Sequence, residues 1–138
     1  MKEVIFVCDL FTEHYLGGAE LTTKAIMAKS NKKNTKVLSK DITPFFIKKN
    51  KNKKWIFGNF AQISNKLRLD ISKKVSNYSI IEYDYKICAH RSLELHKEIT
   101  GLECDCENTL NGKINQVFYC RAKAVWFMSE EQKQIFLK

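Results

Sequence analysis

Apolar residues come in short runs separated by polar stretches long enough for helices. Residues 3–8 (EVIFVC) form a continuous apolar run, as a strand covered on both faces of a parallel sheet requires, and Asp9 ends it. Gly17-Gly18 then leads into AELTTKAIMAKS, where Leu21, Ala25, Ile26 and Ala28 recur at helical spacing. Residues 35–39 (TKVLS) predict a second strand and 54–58 (KWIFG) a third. Between them, residues 40–53 hold the only proline and a dense set of lysines, which predicts an irregular, solvated connection. In FAQISNKLRLDISKKV, the residues Phe60, Ile63, Leu67, Ile71 and Val75 share one helical face. Residues 78–83 (YSIIEY) predict a fourth strand ending at Asp84, 114–122 a helix, and 124–128 (AVWFM) a fifth strand. Ser129, followed three residues later by Gln132, reads as the capping-box start of a last helix. The stretch 86–112 is the least regular.

This alternation implies an α/β fold: a single Rossmann-like domain, an open, mostly parallel sheet with helices on both faces. A chain of 138 residues suits one such core. Ligands of open parallel sheets bind beyond the carboxyl ends of the strands. That rule selects Asp9, His14, Gly17, Gly18, Ser39, Gly58, Asn59, Tyr83, Asp84, Ser129 and Glu130. Three of the five glycines fall in this set, which suggests close backbone approach to a ligand.

Charge adds a second feature. The net charge of +9 sits almost wholly in residues 29–54, which hold ten lysines against one acid, Asp41. A polyanionic partner is one reading. The other is a solvated lysine-rich surface, favoured because the chain uses lysine far more than arginine, whereas nucleic-acid grooves recruit the arginine fork. The longest apolar runs are five residues, Val4–Cys8 and Ala124–Met128, so no membrane span is expected. Without a signal-peptide pattern at the start, the expected location is cytoplasmic.

Gly17-Gly18 lies where a loop becomes a helix. The residues alone leave two readings open: an anion site at the helix amino terminus, or a tight turn that needs glycine. A dinucleotide fingerprint and a Walker loop are both disfavoured, since the pair follows the strand too late and no GK[ST] follows. The combination of EVIFVCD, a loop and GGAELTTKAIMA resembles the opening of nucleotide-sugar glycosyltransferases of the GT-B fold. At the other end, KAVWFMSEEQKQIFLK is similar to that family's strand followed by a SEE helix, which closes the amino-terminal domain.

The resemblance implies an amino-terminal, acceptor-side domain of an enzyme that transfers sugar from a nucleotide-sugar donor to a glycan or lipid-linked acceptor, as in polysaccharide biosynthesis. It implies a separate donor-binding carboxyl-terminal domain, absent from these residues, and hence no turnover alone. Residue by residue, it assigns Gly17 and Gly18 to the donor diphosphate and Glu20 to the acid of GGAE. Glu20 equally suits the positive end of the helix dipole. The family often ends its fourth strand with histidine. Here Tyr83 and Asp84 stand there, which leaves Asp84 and His90 as candidate catalytic groups, His90 also being readable as an exposed or core histidine. Asp9, His14, Asn59, Tyr83, Ser129 and Glu130 complete the candidate binding edge, with capping of the next helix the favoured reading of Asn59. No cofactor is expected. The lysine window suggests docking on an anionic membrane at the inner face, and nucleic acid is the weaker partner. The alternative function is a basic flavodoxin-like module that contacts nucleic acid or anionic membrane.

Five cysteines are present, and Cys8 falls inside a predicted buried strand. A disulfide framework is not expected. Cys88, Cys104, Cys106 and Cys120, with His90 and His96 among them, suffice in number for a thiolate metal site. Their spacing argues against one: Cys104-x-Cys106 is tighter than the usual knuckle and no second close pair exists. The expectation is therefore no metal and unligated thiols.

Overall fold

The computed structural model describes residues 3–137. Five strands, β1 (Glu3–Cys8), β2 (Lys33–Leu38), β3 (Lys54–Phe57), β4 (Tyr78–Glu82) and β5 (Ala124–Phe127), form one parallel sheet in the order β2-β1-β3-β4-β5. Six helices connect or follow them: α1 (Gly18–Lys29), α2 (Pro44–Asn50), α3 (Asn65–Lys74), α4 (Leu93–Thr100), α5 (Leu110–Arg121) and α6 (Glu130–Phe136). This is the α/β, Rossmann-like domain that the strand pattern predicts.

Strand alternation divides the core into two layers. Ile5 and Val7 of β1 join Trp55, Phe57, Tyr78 and Ile80 beneath Ile47 of α2, Ile71 of α3 and Phe118 of α5. Val4, Phe6 and Cys8 point the other way, with Ile56 and Ile81, against Ile26 and Met27 of α1. Trp55 and Phe57 are wholly buried. Burial of each such side chain stabilises the fold by about 1.5–3 kcal/mol.

Two stretches differ from the sequence expectation. Residues 40–53 are largely ordered. Thr43 Oγ1 accepts a hydrogen bond from the Phe46 N–H at 3.1 Å, Pro44 opens α2, and Ile47 anchors it in the core. Proline read as a breaker is in fact at the first helical position, where its missing N–H costs nothing. Within 86–112, Ser92 Oγ caps α4 by accepting from Leu95 N–H at 3.2 Å, and Gly101, at φ 75°, ends it in the left-handed conformation. Phe60 and Ile63 precede α3 in a turn, yet fill the same core as its apolar face. No helix among the described residues is long and apolar enough to cross a membrane.

Candidate functional site at the carboxyl edge

The first crossover, from β1 to β2, runs one way across the sheet and the next, from β2 to β3, runs back past β1. The loops after β1 and β3 therefore part at a topological switch point, where a crevice opens in such sheets. Asp9 stands in that crevice. Its carboxylate accepts from Ala61 N–H at 2.9 Å, from Gln62 N–H at 3.2 Å and from the Ser39 hydroxyl, and its own N–H donates to Asn59 O at 2.8 Å. Asp9 thus ties the ends of β1, β2 and β3 together.

At the end of β4, Glu82 is fully buried. Its Oε1 meets Lys86 Nζ at 2.5 Å and Asp84 N–H at 3.1 Å, while Oε2 accepts from the Tyr119 hydroxyl. Burial raises the Glu82 carboxyl to about 7, with Lys86 pulling it back down. Asp84 lies 3.5 Å from Lys86 Nζ and 3.4 Å from Arg91 Nη1, and Arg91 Nη2 lies 3.7 Å from Asp9. Arg91 sits at φ 60°, the one non-glycine residue with positive φ among those described. Glu82 and Lys86 thus form a buried carboxyl–ammonium pair, which Asp84 links to Arg91 at the sheet edge.

Sequence reasoning missed a further group here. Arg68 of α3 is buried, and its guanidinium donates to Asn65 Oδ1, Asn115 Oδ1 and, at 2.8 Å, Asn111 Oδ1, all neutral amides. Its Nε has no partner among the described residues. Burial lowers the affinity of Arg68 for its proton. With Lys86, Arg91, Phe60 and the two α5 asparagines it lines a pocket of about 140 Å³. A buried cation without a counter-charge is costly unless an anion completes it. Composition held the clue: of only three arginines in a lysine-rich chain, two line this pocket.

Gly17 and Gly18 lie at the start of α1, beyond the carboxyl end of β1. Gly17 is the N-cap at φ −89°, and neither glycine has positive φ. The turn therefore does not need a backbone conformation reserved for glycine. A Cβ on Gly18 would meet nothing within 4 Å, whereas one on Gly17 would crowd the side chains of Glu20 and Tyr15. Glu20, in the first turn, lines a groove with Phe11, Leu16, Lys24 and Lys36. His14 is exposed, and its Nδ1 accepts from Phe11 N–H at 3.3 Å, which closes the β1 loop.

The other candidates take structural contacts. Tyr83 shares a 2.7 Å hydrogen bond with Thr23 and so pins α1 to β4. Asn59 does not cap α3: Ser64 does, through Leu67 N–H at 3.2 Å, and Asn59 Oδ1 is without a partner among the described residues. Ser129 caps α6 by accepting from Gln132 N–H at 3.1 Å, and Glu130 accepts from Gln134 at 2.9 Å one turn on. Gln132 reaches back to Glu82 O at 3.1 Å and Asp84 O at 2.9 Å, which docks the start of α6 on the end of β4. The His90 ring packs edge-on against that of His96, with centroids 5.1 Å apart.

Beside this edge the loop after β4, α4 and the segment before α5 bring together Cys88, His96, Cys104 and Cys106, with ligand-type atoms all within 4.8 Å of one another. Cys120 is exposed and lies outside the group. The spacing argument against convergence fails because His96 and Cys88 come from different turns, so no second close cysteine pair is needed.

Neither a family model, nor a curated protein, nor a solved structure matches the chain.

Proposed function

We propose that this chain is the acceptor-side half of a GT-B glycosyltransferase, one that transfers sugar from a nucleotide-sugar donor once a donor-binding domain faces its carboxyl edge. Gly18 carries the reading. It opens a helix at the sheet's ligand-binding edge, it has room for a side chain, and its backbone conformation does not call for glycine. Bare N–H groups there suit a diphosphate, whose charge grows as the glycosidic bond to it breaks. Arg68 and Arg91 offer further places for a phosphate or an acidic sugar on the same edge. Glu82, poised near neutrality, is the better candidate than His90 for moving a proton, through Lys86 and Asp84.

The test is nuclear magnetic resonance of the chain titrated with a nucleoside diphosphate, followed by a transfer assay with a donor domain supplied. The reading expects shifts at the amides of Gly18–Leu21, lost in Gly18→Val while thermal stability holds, and sugar transfer only when both halves are present. Saturating nucleotide that leaves those amides unmoved, with no transfer by the joined halves, would overturn it.

The lysine window favours a membrane over nucleic acid as its surface. Phe45 of α2 is 73% exposed beside Pro44, Lys48 and Lys49. An exposed ring among lysines suits insertion at an anionic interface. Lys36 and Lys53 of the window are engaged locally, with Glu13 and, at 2.8 Å, with Glu3.

A further inference from the structure

We infer that Cys88, His96, Cys104 and Cys106 form a structural zinc site, a proposal independent of the sugar-transfer reading. The spacing of Cys88, Cys106 and His96 is that of three corners of a coordination tetrahedron, and Cys104 Sγ lies within 4.8 Å of all three. With Zn–S near 2.3 Å and Zn–N near 2.05 Å, a regular tetrahedron places its sulfurs about 3.8 Å apart and sulfur and nitrogen about 3.6 Å apart. Cys88 Sγ lies 4.0 Å from Cys106 Sγ and 3.4 Å from His96 Nδ1, and Cys106 Sγ lies 3.6 Å from the same nitrogen. Sulfur atoms 4.0 Å apart are far from the roughly 2.05 Å of a disulfide.

Surrounding contacts suit thiolates. Ala89 N–H donates to Cys106 Sγ and His90 N–H to Cys88 Sγ, each at 3.4 Å. Amide donors of this kind stabilise sulfur that carries negative charge and orient the ligands of a metal. Backbone geometry serves the same end. Gly101 turns the chain at the end of α4 so that Cys104 and Cys106 return to His96. Gly112 lets the first turn of α5 press on the Cys106 carbonyl, which a Cβ would meet at 1.9 Å.

The need for a metal is visible in the packing. Helix α4 buries no residue, and Leu93, Leu95, Ile99 and Leu102 are all exposed. An excursion with so little apolar core is commonly held by a metal or a disulfide. Four protein ligands fill a tetrahedral shell and leave no open position, so the site is structural rather than catalytic. On binding, three thiols ionise and release three protons to solvent, and neutral His96 supplies the fourth bond. The site fixes the turn that carries Arg91, three residues after Cys88, at the carboxyl edge.

Metal analysis of the untagged full chain tests this. The expected content is about one equivalent of zinc, kept in Cys120→Ser and reduced to less than about a tenth in Cys104→Ser or Cys106→Ser. Because those variants can fail to fold, metal-stripped wild type is also titrated with cobalt. Tetrahedral thiolate bands are expected, moving toward a four-sulfur spectrum in His96→Cys. Wild type with neither zinc nor a cobalt spectrum, cobalt bands unchanged in a folded Cys104→Ser, iron in place of zinc, or a Cys88–Cys106 disulfide in freshly purified protein would each overturn the assignment.

Discussion

Glu82 and Lys86 form an ion pair sealed from solvent at the end of β4, with Oε1 and Nζ 2.5 Å apart and side chains 0% and 4% exposed. Burial nonetheless dominates Glu82 and lifts its carboxyl from the ordinary 4.5 to about 7. A carboxyl raised in the folded state contributes stability that is present below its unfolded value and lost as pH rises through the folded one. Denaturant unfolding is therefore expected to show stability falling between pH 5 and about 8, with a slope that Glu82→Gln flattens. An equal slope in the variant would assign the titration to another group.

Gly112 and Gly18 give opposite expectations for one substitution. Alanine at Gly112 would place a Cβ 1.9 Å from the Cys106 carbonyl oxygen, a backbone atom that cannot yield cheaply. Gly112→Ala should cost about 1–3 kcal/mol or more. Gly18→Ala meets open space within a helix and should leave stability unchanged or raise it by up to about 1 kcal/mol. Paired urea titrations compare them directly.

Thiol reactivity should separate Cys8 from Cys120. Cys120 is exposed, whereas burial pushes the Cys8 thiol up to about 11. Iodoacetamide at neutral pH should label Cys120 first and leave Cys8 unmodified until the protein unfolds, as read by peptide mapping.

The uncompensated Arg68 should report anions. Inorganic pyrophosphate is expected to raise the melting temperature of wild type and of Arg121→Met, and not that of Arg68→Met. The Arg68 variant also leaves three asparagine oxygens short of a donor, a loss of roughly 1–3 kcal/mol in the absence of anion. Equal pyrophosphate stabilisation in both variants would place the anion elsewhere.

Vesicle sedimentation tests the lysine window. Binding to vesicles containing phosphatidylserine should exceed binding to neutral ones, weaken with salt, and fall in Phe45→Ser without loss of stability, since Phe45 is 73% exposed.

Much of the fold was legible because strand runs such as EVIFVC and YSIIEY carry their burial in one-dimensional form. Ser129 and Gln132 likewise announced α6, since capping is local chemistry. What escaped depended on the third dimension. Pro44 looked like a breaker because its effect turns on whether Thr43 caps the helix that follows. Helix α4 is only eight residues long, and its local start and stop signals, Ser92 and Gly101, lie inside a stretch that reads as irregular. Arg68 stands on the apolar helix of Leu67 and Ile71, and only the fold reveals that Asn111 and Asn115, far along the chain, supply its partners. Cys88 and Cys106 meet for the same reason.

Arg91 holds a left-handed backbone conformation that glycine would adopt at lower cost. Glycine there would relax the turn by about 1 kcal/mol and remove the guanidinium that reaches Asp84 and Asp9. Glycine at 91 thus exchanges backbone ease for the guanidinium that joins the ends of β1 and β4, and Arg91→Gly should unfold within about 1 kcal/mol of wild type.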